Sequence, residues 1–126
     1  MNKNSKKILV VDDDPVIVKL VEELLLSHGY EVATAKDGLD CMVFLQKEKP
    51  ALIVLDIMMP EINGYDVCHN IKFNSDFKEI PILILTTRDQ ELDPRIGQMI
   101  GIEYLQKPLE RALFLKKVED LLRESE

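Results

Sequence analysis

Five polar side chains stand where they could work together: Asp12, Asp13, Asp56, Thr86 and Lys107. Each closes or follows an apolar run. Ile8-Leu9-Val10-Val11 leads into Asp12-Asp13, and Leu52-Ile53-Val54-Leu55 leads into Asp56. Ile82 to Leu85 leads into Thr86, and the short run from Ile102 to Gln106 leads into Lys107. Three clustered carboxylates would repel one another unless a cation joined them. Their hard oxygen donors suit Mg²⁺, which takes a few carboxylates and keeps several waters. A metal held in this way could also coordinate a phosphoryl oxygen. Thr86 and Lys107 would then offer a hydroxyl and a positive charge to the remaining oxygens. An aspartate that attacks phosphorus forms an acyl phosphate. Taken singly, each residue has an ordinary explanation: Asp12 and Asp13 as caps or solvated charges, Asp56 as a loop or cap aspartate, Thr86 as a β-branched strand end, Lys107 as surface charge. Four strand ends carrying compatible groups argue against coincidence.

The apolar runs decide whether these residues can meet. Continuous runs rich in β-branched residues read as strands buried on both faces, which belong to parallel sheets covered by helices. Lys7 to Val11 is the first strand and the alternating Glu31 to Ala35 a weaker second one. Leu52 to Asp56 is the third, Pro81 to Thr87 the fourth and Ile102 to Gln106 the fifth. Between them run helical stripes. Asp14-Pro15 supplies an N-cap and a proline at the first helical position, followed by Ile17, Leu20, Val21, Leu24 and Leu25, with Gly29 as the stop. Asp37-Gly38 opens a second helix with Met42 and Leu45, ended by Lys49-Pro50. A third runs from about Tyr65 to Phe73 with Val67, Cys68 and Ile71, and a polar loop from Asn74 to Glu79 follows. A last helix carries Leu115, Val118, Leu121 and Leu122. Strand and helix alternate, which predicts a parallel α/β sheet with right-handed crossovers. All its strand ends then lie on one edge, where open α/β sheets bind ligands.

Composition narrows the classes. The 126 residues suit one domain, with no linker or repeat, large enough to bury roughly two-thirds of its unfolded surface. A net charge of −7 argues against direct binding of nucleic acid or an anionic membrane. No apolar run approaches a membrane span, and Met1 to Lys7 lacks the apolar core of a signal peptide. Cys41 and Cys68 fall on helical stripes and read as free core thiols in a reducing cytoplasm. His28 and His69 lack neighbours at zinc-ligand spacing.

With these residues in place, the sequence resembles a response-regulator receiver domain. The likeness runs from about Lys7 to Leu122. It rests on Val10-Val11-Asp12-Asp13-Asp14, Leu55-Asp56-Ile57-Met58-Met59-Pro60 with Gly64, Leu85-Thr86-Thr87 and Tyr104-Leu105-Gln106-Lys107-Pro108. It implies a single receiver domain over residues 1–126 with a flavodoxin-like (βα)5 three-layer sandwich and strand order 2-1-3-4-5. It implies a signalling domain rather than an enzyme. Asp56 matches the phosphoacceptor, which takes its group from a phosphohistidine on a sensor histidine kinase or histidine phosphotransfer protein. Asp12, Asp13 and Asp56, with the backbone carbonyl of Met58, match the Mg²⁺ ligands, Asp13 more directly than Asp12. Lys107 matches the lysine that contacts the phosphoryl group, and its bond to Pro108 is expected to be cis. Thr86 and Tyr104 match the switch pair, in which the hydroxyl moves to the modified aspartate and the ring turns inward. That change reshapes the face made by the family's fourth helix, fifth strand and fifth helix. A downstream output domain or target protein and a phosphorylation-linked homodimer are the further partners the resemblance allows.

The sequence also departs from the family pattern. Asp93-Pro94 falls where the family has its fourth helix, so that helix is expected to start near Pro94 and be short. Gly101-Ile102-Glu103-Tyr104 is one residue shorter than the usual Gly-Ala-Asp-Asp-Tyr. Both changes fall on the output face and put its usual dimer in question. Thr87 replaces a common alanine and would narrow access for the phosphodonor. Met58 and Arg88 flank the expected path of hydrolytic water, and a bulky Met58 would lengthen the life of the phosphorylated state. Two rival readings differ in class. Asp12-Asp13-Asp14-Pro15-Val16 fits the Asp-x-Asp-x-Thr/Val pattern of haloacid-dehalogenase-like Mg²⁺ phosphatases, with Asp12 as nucleophile, but leaves Asp56 unexplained and little room for a cap domain. A receiver-like module that acts by binding alone would be missing an acid or the lysine, and neither is missing.

Overall fold

The computed structural model describes residues 6–56, 64–86, 102–106 and 109–124. In chain order these form β1 (Lys7–Val11), α1 (Pro15–Leu26), β2 (Glu31–Ala35), α2 (Gly38–Lys47), β3 (Leu52–Asp56), α3 (Gly64–Lys72), β4 (Ile82–Thr86), β5 (Ile102–Gln106) and α4 (Arg111–Glu124). The strands form one parallel sheet in the order β2-β1-β3-β4-β5. This is the expected flavodoxin-like arrangement. The segments expected to hold the family's fourth helix, the Lys107-Pro108 bond and Met58 lie outside the described residues.

Strand pleating builds two cores from adjacent residues. Leu9, Val11, Ile53, Leu55, Ile82 and Ile84 face one side, where Cys41 and Leu45 of α2 and Val67, Cys68 and Ile71 of α3 cover them. Ile8, Val10, Leu52, Val54, Leu83 and Leu85 face the other, under Val21, Leu24 and Leu25 of α1 and Phe114, Val118, Leu121 and Leu122 of α4. β3 and β4 are buried at every residue, which is why they read as unbroken apolar runs. The edge strand β2 is only partly covered, which is why its signal was weaker.

Some local expectations need correction. Leu20 belongs to the expected α1 stripe but is 38% exposed, because it lies on the flank of the helix rather than over the sheet. Met42 is half-buried, and Cys41 with Leu45 does the packing of α2. In α4 the half-buried Leu115 is outranked by Phe114, a fully buried ring. The loop after α3 is polar in composition, yet it drives Phe77 and Ile80 into the first core. The expected fourth strand is described over Ile82–Thr86, and Thr87 lies outside the described residues.

The helix ends follow the sequence signals. Asp14 caps α1 by accepting from the Val16 N–H at 2.9 Å, with Pro15 at the first position. Ser27 closes that helix, and Gly29 takes the left-handed conformation (φ 87°) that any side chain would disfavour. Asp37 accepts from the Asp40 N–H, and the Asp40 carboxylate accepts in turn from the Lys36 N–H. The two acids thus serve donors left over at the start of α2. Glu110 plays the same part for α4, accepting from the N–H groups of Ala112 and Leu113.

Candidate functional site

Register brings the acids together. Val11 pairs with Leu55, so Asp12 and Asp56 follow at the same level on neighbouring strands. Asp13 begins the turn into α1. One carboxylate oxygen from each of Asp12, Asp13 and Asp56 lies within 4.8 Å of the other two. Asp12 and Asp56 are buried, at 2% and 5% exposure, while Asp13 faces solvent. One oxygen of Asp12 accepts from the Asp14 N–H at 3.0 Å, which fixes the turn and orients that carboxylate. Burying two ionised carboxylates side by side is costly unless a cation or strong donors balance them. Three hard oxygen donors at this spacing, two sheltered and one open to water, fit a small divalent cation that keeps part of its hydration shell.

Thr86 and Tyr104 sit together on the neighbouring part of the sheet. Asp56 pairs with Leu85, and the buried Thr86 is the next residue of β4. Thr86 pairs with Gln106, and Tyr104 pairs with Ile84. Alternation therefore places Thr86 and Tyr104 diagonally on one face of adjacent strands. The half-buried Tyr104 packs against the first core cluster, the one under α2 and α3. Gln106, the last residue before Lys107, is level with Thr86. Lys107, Pro108 and Met58 lie outside the described residues.

Cys41 and Cys68 are free and fully buried, as expected of core thiols. Burial pushes each thiol up to about 12; the nearby Asp40 adds to the rise at Cys41, and the Lys72 charge opposes it at Cys68. A group that stays protonated in this way is neither a nucleophile nor a metal ligand at neutral pH.

Comparison with known proteins decides the family. Residues 8–119 match the sequence profile of the response regulator receiver domain. The chain belongs to that family. Receiver domains are signalling domains of two-component systems, so the phosphatase reading of Asp12 falls. Among curated relatives, the alkaline phosphatase synthesis transcriptional regulatory protein PhoP of Bacillus subtilis is 41% identical over 97% of this chain and 50% of its own length. Protein PilH of Pseudomonas aeruginosa is 34% identical over 92% of this chain and 97% of its own. The chain spans about half the length of the first curated relatives it matches. Among solved structures, the receiver domain of the sensor histidine kinase PA1611 from Pseudomonas aeruginosa superposes with a TM-score of 0.83. It is 27% identical and covers 94% of this chain and 98% of its own, and it holds a magnesium ion in its active-site cleft. Among the described residues of the present receiver, no helix is long and apolar enough to cross a membrane.

Proposed function

We propose that this receiver takes a phosphoryl group onto Asp56 in a Mg²⁺-dependent transfer from a phosphohistidine, within the cytoplasm. The observation that carries this reading is the convergence of Asp12, Asp13 and Asp56 to within 4.8 Å at one edge of the sheet. Asp12 and Asp13, with Asp56 itself and the Met58 carbonyl, would hold the ion. When bound, the ion supplies positive charge that balances the acids and the incoming phosphoryl oxygens. Asp56 is the nucleophile. Its carboxylate oxygen bonds to phosphorus as the N–P bond of the donor breaks, and the electron pair leaves on the imidazole nitrogen. Asp12, tethered by the Asp14 N–H, keeps the cluster in register. Lys107 would contact the phosphoryl group from the end of β5, and Met58 would slow the water that removes it.

The signal would leave through Thr86 and Tyr104. In this reading the Thr86 hydroxyl moves to the phosphoryl oxygen, the Tyr104 ring follows inward, and the face bearing β5 and α4 changes. A histidine kinase or phosphotransfer protein is the proposed donor, and an output domain, a separate target or a second copy the proposed receiver of the signal.

Mg²⁺ titration followed by calorimetry tests the metal half of the reading. The parent binds Mg²⁺, and Asp13→Ala weakens binding by at least about tenfold, the scale set by losing even a supporting group at a metal site. Equal affinity in parent and variant would remove Asp13 from the ligand set.

A further inference from the structure

At the far end of the sheet from the acids, Lys72 closes α3 with an unusual set of partners. Its ammonium donates to the carbonyl of Ile80 at 2.7 Å and to that of Lys78 at 3.2 Å. Lys7, Lys116 and Lys117, by contrast, reach carboxylates at the surface. The loop that Lys72 grips leaves α3 through the Phe73 and Asn74 N–H groups, which donate to the His69 and Ile71 carbonyls, and then folds on its own turns. Asn74 accepts from the N–H groups of Asp76, Phe77 and Lys78, and Ile80 donates to the Phe77 carbonyl. Beyond Asn74, its ties to the rest of the described residues include the buried Phe77 and Ile80 side chains and the Lys72 ammonium.

We propose that Lys72 is a clasp that makes residues 73–80 a separately opening unit, closed by two charge-assisted bonds and released when the donors at position 72 are lost. Bonds from a charged donor to main-chain carbonyls are among the stronger ones. Partial burial holds the Lys72 ammonium below the ordinary lysine range while Glu79 and Cys68 oppose that shift, as expected of a charge drawn in for its hydrogen bonds. Pro81 follows the gripped carbonyl directly, and its own carbonyl accepts from the Ile53 N–H. The clasp therefore ends where the sheet begins, and opening need not disturb β4.

Native-state hydrogen exchange tests this on the whole chain. Lys72→Met keeps the stem and removes the donors. It should speed exchange at Phe77, Lys78 and Ile80 by about tenfold or more, the factor matching loss of one charge-assisted bond, and leave β1 and β3 as in the parent. Lys72→Arg, which keeps charge and donors, should stay within about threefold of the parent. Loop exchange unchanged in Lys72→Met would overturn the clasp. So would a uniform rise across β1 and β3, or a Lys72→Met chain that fails to fold, since either makes the bond global.

Discussion

The central residue-scale fact is that two buried aspartates and an exposed one share a few ångströms at a strand edge. Such a grouping is costly to fold and is retained where a cation or an incoming anion-bearing group is handled. The same scale separates reactive from inert groups. In the proposed reading Asp56 reacts at the sheet edge, whereas Cys41 and Cys68 are closed off in the core. At pH 8 the folded protein should therefore react with iodoacetamide far more slowly than in denaturant, by about three orders of magnitude, because thiols at about 12 expose roughly one thiolate in ten thousand against about one in ten for a free thiol. Peptide mapping of the alkylated cysteines checks this, and fast labelling of the folded chain would mean that α2 or α3 opens readily.

At the scale of elements, α1 connects the site to the surface. Its N-cap Asp14 follows Asp12 and Asp13 directly, so the start of the helix and the acid cluster form one turn. Asp14→Ala should lower stability by about 0.5–2 kcal/mol in urea unfolding, and the Asp12 tether through the Asp14 main chain survives that substitution. A change within error would mean that water replaces the cap. The same turn leaves Val16 72% exposed and Leu20 38% exposed, with Leu113 in the first turn of α4 at 43%. A donor protein that delivers a phosphoryl group to Asp56 has to lie over this edge. Val16→Glu with Leu20→Glu should then slow transfer from a protein donor by tenfold or more and leave labelling by acetyl phosphate near the parental rate. Equal loss with both donors would point to a damaged site, and no loss with either would move the docking face elsewhere.

For the whole molecule, the parallel sheet is what turns scattered residues into a site. The fold was legible because β1, β3 and β4 are apolar at nearly every position and the caps Asp14 and Asp37 mark helix starts. The acid cluster was legible because parallel strands carry their ends to one edge, so Asp12 and Asp56 had to be neighbours once β1 and β3 were paired. What the sequence hid depends on side-chain direction and reach. Leu20 has the spacing of a core residue but lies on a helix flank, Phe77 plugs the core from a polar loop, and Lys72 reads as surface charge until its two carbonyl partners are seen. Relatives about twice as long as this chain set the domain in regulators with further parts, and the face of β5 and α4 is where the proposed switch would speak to them. The most direct test is mass spectrometry of the intact protein after incubation with acetyl phosphate and Mg²⁺, with peptide mapping of the labelled site. The account predicts one phosphoryl group, on Asp56, absent when Mg²⁺ is chelated and absent in Asp56→Asn. A label carried by Asp12, or one that persists undiminished in Asp56→Asn, would contradict it.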